Sequence, residues 1–263
     1  GQNLIYSAPT SGGKTLVSEI LMLWRIAQNK GTTCLYIVPF VALAEEKAKY
    51  FQNKWQDLNI GVRCYHGDSE GNSDLTGDVS LAVCTIEKAN ILINELIGAG
   101  HEDQISMIIV DEIHLLDDSY RGFLIEVLLS KISFLTPQVQ IVGMSATLPN
   151  LKELGEWLQA AVHLTDYRPV PLEIKICAVN SNTKSAQIMA RNDYSTLPSW
   201  NQAEYAARFP ETFRPIRVIN LTPPQPLSID GALHHLVEET TRDGKSVIVF
   251  CNTKVWCETV AFK

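Results

Sequence analysis

The segment that decides the fold reads Asn3-Leu4-Ile5-Tyr6-Ser7-Ala8-Pro9-Thr10-Ser11-Gly12-Gly13-Lys14-Thr15-Leu16-Val17. It begins as a short apolar run, passes through a loop with two glycines, and continues into apolar residues at helical spacing from Lys14 to Gln28. In a strand–loop–helix unit of this kind, backbone N–H groups and a helix N-terminus form a cradle for phosphate. We therefore predict that the following eight residues bind a nucleotide: Ala8, Pro9, Thr10, Ser11, Gly12, Gly13, Lys14 and Thr15.

This loop differs from the usual phosphate-binding pattern only at its first position, where Ala8 replaces glycine. Gly12 and Gly13 allow the backbone to approach a ligand closely. Lys14 is expected to reach the β- and γ-phosphates, and Thr15 to hold Mg²⁺ through its hydroxyl. The predicted cofactors are therefore ATP and Mg²⁺.

Two further motifs follow apolar strand-like runs. Asp111 and Glu112 come directly after Met107–Val110, and the carboxyl ends of buried parallel strands are where ligands bind in open α/β sheets. We predict that Asp111 positions Mg²⁺ and that Glu112 orients the attacking water. Ser145 and Thr147 follow the next apolar run and predict either a helix cap or a link between the nucleotide site and a second domain.

Continuous apolar runs alternate with helix-like segments along the chain, which is typical of a parallel sheet with helices on both faces. We predict a first α/β domain over residues 1–165. Residues 166–263 are predicted to hold a linker, an irregular insertion from Asn180 to Gln225, and the incomplete start of a second domain. The predicted strands are Leu4–Ser7, Cys34–Val38, Leu81–Cys84, Met107–Val110, Ile141–Met144, Leu172–Ala178 and Val247–Cys251.

The composition of the chain argues against some classes of protein. The 263 residues are 46% hydrophobic and 19% charged, with a net charge of −7. No run approaches the roughly 18 apolar residues of a membrane span, so no membrane partner is predicted. The six cysteines form no Cys-x-x-Cys pair, which favours buried reduced thiols over zinc ligands. The sequence opens two residues before a predicted strand and stops at Lys263 within a helix-like stretch, so we expect a fragment of a longer protein.

The three motifs together resemble motifs I, II and III of superfamily 2 helicases. Asp111-Glu112-Ile113-His114, with Arg121-Gly122 shortly after it, resembles the Ski2-like group. Longer matches are similar to the polymerase theta family of helicase domains, with the helicase-Q family next. These matches are Tyr6–Leu23, Val83–Asn90, Gly143–Asn150, Tyr167–Leu172 and the region from Phe250 to Glu258. The resemblance implies two RecA-like domains, the second of them truncated in this sequence.

The same resemblance implies roles for other residues. His114, Ser145 and Thr147 would couple the nucleotide site to the second motor domain. The family's motifs Ia and Ib would face the backbone of single-stranded DNA, and they correspond to Pro39, Phe40, Ala42, Thr85 and Glu87. Without the family, Thr85 reads as a helix cap and Glu87 as a first-turn acid favoured by the helix dipole. The loops at His66-Gly67 and Arg121-Gly122 are either family features or plain surface turns.

The resemblance implies an ATP-dependent 3′–5′ DNA helicase that moves on single-stranded or partly duplex DNA in the nucleus, in DNA repair. A Ski2-like RNA helicase and a nucleotide-dependent scaffold with a degenerate motor remain alternatives. Intact Lys14, Asp111 and Glu112 argue against the scaffold. The family's motif VI arginines do not follow Cys251, so we expect the fragment alone to hydrolyse ATP poorly and to need the remaining helicase domains of its polypeptide.

Overall fold

The computed structural model describes residues 1–67, 75, 79–146, 150–170, 172, 175–180, 185–190, 215–220 and 229–261. The chain divides into two compact units, Gly1–Val170 and Pro171–Lys263. The assignment of residues 166–263 to a second RecA-like domain stays a prediction.

The first unit is built on a seven-stranded sheet in the order β3-β4-β2-β5-β6-β1-β7, and every neighbouring pair is parallel. The strands are β1 Asn3–Ser7, β2 Thr33–Val38, β3 Val62–Tyr65, β4 Leu81–Thr85, β5 Ile105–Val110, β6 Gln140–Ser145 and β7 Ala160–Leu164. The helices are α1 Lys14–Gln28, α2 Val41–Trp55, α3 Ile86–Ala99, α4 Arg121–Leu135 and α5 Leu151–Trp157. A 3₁₀ turn, Ile113–Asp117, precedes α4. This confirms the predicted RecA-like α/β fold.

Helices cover both faces of this sheet. Successive side chains of β2 enter two different core clusters because strand side chains alternate between faces: Leu35 and Ile37 join one, Cys34 and Tyr36 the other. The first cluster is completed by α3 and α4. The second cluster is completed by α1 and α2, through residues such as Phe51. Burial on both faces explains the continuous apolar runs of the central strands.

Two strands of the first sheet were not predicted, because neither is a continuous apolar run. Strand β3 has only four residues and exposes Arg63. Strand β7 lies at the opposite edge, with Val162 and Leu164 exposed and His163 stacked on Tyr6 at 5.3 Å between ring centroids. An edge strand pairs on one side only, so its side chains need not be uniformly apolar.

The second unit contains a three-stranded antiparallel sheet in the order β10-β9-β8, followed by two helices. Its elements are β8 Lys175–Asn180, β9 Ser185–Ala190, β10 Pro215–Asn220, α6 Ile229–Arg242 and α7 Lys254–Ala261. Strands β9 and β10 fall inside the stretch predicted as an irregular insertion, and that prediction is wrong for them. In antiparallel strands polar residues often alternate with apolar ones, so such strands lack the continuous apolar run that marks a buried parallel strand.

The predicted strand Val247–Cys251 is also wrong. These residues form no strand, and Ile248 and Phe250 are 78% and 88% exposed. A strand requires a neighbour that accepts and donates its backbone hydrogen bonds. Among the residues that the structure describes, no strand pairs with this segment. Over the same residues, no helix is both long and apolar enough to cross a membrane.

Candidate nucleotide site and neighbouring groove

The loop between β1 and α1 adopts backbone conformations that glycine accommodates more readily than other residues do. Ser11 and Gly13 have left-handed φ values of 67° and 85°. At Ser11 this costs roughly 1 kcal/mol or more, because a Cβ atom crowds the backbone there. A Cβ atom on Gly12 would lie 2.9 Å from the carbonyl oxygen of Pro9, so this position also requires glycine. The loop therefore has a tight and strained backbone, which a hydrogen bond from the Gly12 N–H to the Pro9 carbonyl oxygen closes at 2.9 Å.

The ammonium of Lys14 lies inside this loop. It donates to the carbonyl oxygens of Ala8 and Pro9 at 3.0 and 3.3 Å. Helix α1 begins at Lys14, and no side chain caps its N-terminus. The first-turn N–H groups therefore face the loop with a favourable dipole for an anion. The loop, the N-terminus of α1 and the Lys14 ammonium together fit a nucleotide phosphate.

Asp111 stands at the end of β5 with both carboxylate oxygens engaged. Its Oδ1 accepts from the backbone N–H of Glu112 at 3.1 Å, and its Oδ2 accepts from the Tyr36 hydroxyl at 3.0 Å. Burial raises the pKa of Tyr36, and the neighbouring Asp111 raises it further, so the phenol stays protonated and keeps donating. Tyr36 was not singled out in the sequence, where it reads as one more apolar strand residue.

Glu112 also has a left-handed backbone, with φ at 58°. Its Oε2 atom is buried and forms no hydrogen bond among the described residues, although His114 Nδ1 lies 3.3 Å away. The Glu112 side chain as a whole is 37% exposed, so it remains accessible to solvent. A strained backbone and a solvent-accessible carboxylate side chain therefore coincide at the residue predicted to act on water.

Ser145, at the end of β6, touches both motifs. Its carbonyl oxygen accepts from the backbone N–H of Ala8 at 3.1 Å, and its hydroxyl lies 3.3 Å from Nδ1 of His114. The structure thus brings together His114 and Ser145, two of the three predicted coupling residues. Thr147, the third, lies outside the described residues.

Lys47 is a site residue that the sequence reasoning missed. From the second turn of α2 its ammonium reaches the Thr15 hydroxyl at 3.3 Å. Nothing in the sequence pattern joins residue 47 to the loop, because the contact depends on how α2 packs beside α1. That packing is held by Glu19 of α1, which is buried and bonded to Lys54 and Tyr50 of α2.

Beside the nucleotide site, a groove of about 480 Å³ opens on the first unit. Its lining contains four of the five residues predicted to contact nucleic acid: Pro39, Phe40, Thr85 and Glu87. Ala42 is exposed on the first turn of α2 and does not line the groove. Thr85 accepts from the backbone N–H of Lys88 at 3.5 Å, so its capping role is observed whatever it binds.

Arg121 joins three elements across this groove. Its guanidinium lies 4.5 Å from the centroid of the Phe40 ring, and its Nε lies 3.9 Å from a carboxylate oxygen of Glu87. Gly67, Lys88 and Ile91 also line the groove. Neighbouring Gly122 is a packing residue, since a Cβ atom there would overlap the carbonyl oxygen of Leu116.

A parallel sheet with a Gly-Gly-Lys-Thr loop after β1 and an acidic pair after β5 is the arrangement typical of P-loop nucleotide-binding domains. The chain belongs to the DEAD/DEAH box helicase family, whose family model matches residues 1–154. Helicases of this family use ATP, which is the expected ligand of the loop.

Three relatives show which members of the family the chain resembles in sequence. The chain is 39% identical to DNA polymerase theta of Mus musculus over 99% of its length and 10% of that protein's. It is 38% identical to DNA polymerase theta of Drosophila melanogaster, covering 98% of the chain and 12% of that protein. It is 34% identical to Helicase POLQ-like of Homo sapiens, covering 99% and 22%. The chain thus spans a tenth to about a quarter of the length of these relatives.

A solved structure has the same fold. The DUF1998 helicase MrfA, whose crystal structure is bound to DNA, superimposes with a TM-score of 0.52. The two are 23% identical, and the match covers 64% of this chain and 25% of that one.

Over the described residues, no group of three or more His, Cys, Asp and Glu side chains could hold a metal ion. Magnesium at a nucleotide site is usually held by one or two protein ligands together with phosphates and water. Thr15 and Asp111 fit that smaller set.

Cys34 and Cys84 are buried free thiols, and burial raises the pKa of Cys34 to about 11.

Proposed function

We propose that the chain is the ATP-binding part of an ATP-dependent 3′–5′ DNA helicase that uses single-stranded DNA as its track. The observation that carries the proposal is the shared position of two sites. Lys14 and Asp111 follow β1 and β5, and Ser145 is the last residue of β6. Phe40 follows β2, and Thr85 is the last residue of β4. All five strands are parallel, so nucleotide site and groove open at one edge of the sheet.

In the nucleotide site, each residue has one task. Lys14 would leave the loop carbonyls for the β- and γ-phosphates, and the α1 N-terminus would bind the same anion. Thr15 and Asp111 would hold Mg²⁺, which neutralises charge on the phosphates when it is bound. Glu112 would accept hydrogen bonds from the attacking water and orient it.

DNA rather than RNA, and a role in DNA repair in the nucleus, are inferred from the relatives. Two of them are named DNA polymerase theta, and the structural neighbour is bound to DNA. The 3′–5′ polarity and the need for further helicase domains rest on the family resemblance. Stimulation of ATP turnover in the full-length protein by single-stranded DNA, compared with RNA of the same length, tests the substrate. Greater stimulation by RNA would contradict it.

Lys14→Ala tests the nucleotide site directly. We expect the affinity for a fluorescent ATP analogue to fall about 10- to 150-fold, which corresponds to the loss of a hydrogen bond between charged groups. Fluorescence titration of the chain measures this, and Lys30→Ala, at an exposed position after α1, serves as the control. If Lys14→Ala and the unaltered chain bound the nucleotide with equal affinity, the loop would not be the nucleotide-binding site.

Lys47→Met tests the additional cation beside Thr15. Methionine keeps most of the stem but removes the charge, so we expect nucleotide affinity to fall about 3- to 10-fold. Lys49→Met is the matched control, because Lys49 is exposed on the same helix two residues away. The same titration decides the result. A loss of equal size in both variants would mean that only overall charge matters.

A further inference from the structure

The groove beside the nucleotide site contains an arginine whose side chain forms no hydrogen bond among the residues that the structure describes. Arg121 has 29% of its side chain exposed, and its guanidinium carbon lies 4.5 Å from the centroid of the Phe40 ring. Its Nε lies 3.9 Å from Glu87, an ion-pair distance that is too long for a hydrogen bond. A guanidinium has five N–H donors in a planar fork, so Arg121 keeps donors available in the groove.

We propose that Arg121 binds a backbone phosphate of single-stranded DNA in this groove, and that Glu87 competes with that phosphate for Arg121. The inference rests on the proposed function and names Arg121 as a residue through which the chain would bind the charged DNA backbone. Arginine suits this task because its fork matches two phosphate oxygens, whereas lysine presents one point charge. The cation–π contact with Phe40 holds the guanidinium in the groove before the ligand arrives, which lowers the entropy cost of binding.

Glu87 lines the same groove, yet a carboxylate beside a phosphate is repulsive. Its contact with Arg121 resolves this conflict. Both partners are partly exposed, at 43% and 29% of the side chain, and such ion pairs contribute little because solvent screens them. A phosphate can therefore displace Glu87, and Glu87 lowers the DNA affinity that Arg121 would otherwise give.

The rest of the groove suits a nucleic acid strand better than an acidic peptide. Phe40 and Ile91 are 49% and 46% exposed and offer apolar surface that a sugar or base can cover. Lys88 adds a second cation along the lining. Regularly spaced phosphates with flat bases between them match an arginine, a lysine and an aromatic ring along one 480 Å³ groove.

The test is fluorescence anisotropy of a labelled oligo(dT) with the chain, at several salt concentrations between about 50 and 200 mM. Arg121→Gln is expected to weaken binding about 5- to 20-fold and to reduce the slope of log K against log salt by about 0.7, the value for one phosphate of a single strand. Glu87→Gln is expected to tighten binding about threefold. In the double variant the gain disappears, because Glu87 acts only through Arg121.

The controls separate this local effect from overall charge and from misfolding. Arg63→Gln and Glu95→Gln change the same charges at exposed positions outside the groove and should leave binding within about twofold of the unaltered chain. Arg121→Lys keeps the charge, so it should retain the salt slope with intermediate affinity. Thermal unfolding of each variant reports on the fold.

The outcomes are distinct. If the unaltered chain binds no single-stranded DNA, the proposed function fails and this inference with it. If the chain binds but Arg121→Gln leaves affinity and salt slope unchanged, only the inference is overturned. It is likewise overturned if Glu87→Gln weakens binding, as a purely structural ion pair would, or if an acidic peptide of equal charge displaces the oligonucleotide as well as unlabelled oligo(dT) does.

Discussion

Glu112→Gln is expected to lower ATP turnover of the full-length protein about 100- to 10,000-fold while ATP binding stays within about threefold. The amide has the same shape as the carboxylate but cannot accept a proton or polarise water in the same way. The left-handed backbone at residue 112 places the side chain directly after β5, with its Oε2 atom 3.3 Å from Nδ1 of His114. Glutamine keeps that geometry, so the loss falls on the chemical step.

This result is measured by steady-state phosphate release together with titration of a fluorescent ATP analogue. Glu126→Gln is the matched control, since Glu126 is exposed on α4 and away from the loop. Turnover within tenfold of the unaltered protein would dismiss the role assigned to Glu112. A parallel loss of ATP binding would instead make Glu112 part of the cradle.

Gly122→Ala is expected to lower the free energy of unfolding of the first unit by about 3 kcal/mol. The new Cβ atom would overlap the Leu116 carbonyl oxygen, and a backbone atom cannot move aside as a flexible side chain can. Helix α4 would have to shift away from the 3₁₀ turn that follows Glu112. For a unit of this size the midpoint of thermal unfolding would fall about 6–12 °C.

Gly98→Ala is the control for this substitution. Gly98 also lies in a helix, but a Cβ atom there meets nothing within 4 Å. It should therefore stabilise the unit by about 0.5–1 kcal/mol, because alanine loses less conformational freedom than glycine. Thermal unfolding followed by circular dichroism compares the two. Equal effects of both substitutions would show that the contact with Leu116 is not tight.

Much of the first unit could be predicted because its central strands are buried on both faces. That burial demands continuous apolar runs, and helix α1 was predicted with the bounds it has, Lys14–Gln28. Strands β3 and β7 escaped prediction because edge positions relax this demand. The segment Val247–Cys251 reads as a buried strand, yet composition alone cannot supply the partner that a strand needs.

The sequence by itself determined the phosphate loop, the acidic pair and the fold, because each depends on local pattern: glycines where the backbone turns sharply, carboxylates after an apolar run, and helices between strands. Only the tertiary structure decided what surrounds them. It brought Lys47 to Thr15, Tyr36 to Asp111, and Arg121 between Phe40 and Glu87. These contacts join residues 32 to 81 positions apart, and such pairs are set by the packing of helices on a sheet, which no local pattern encodes.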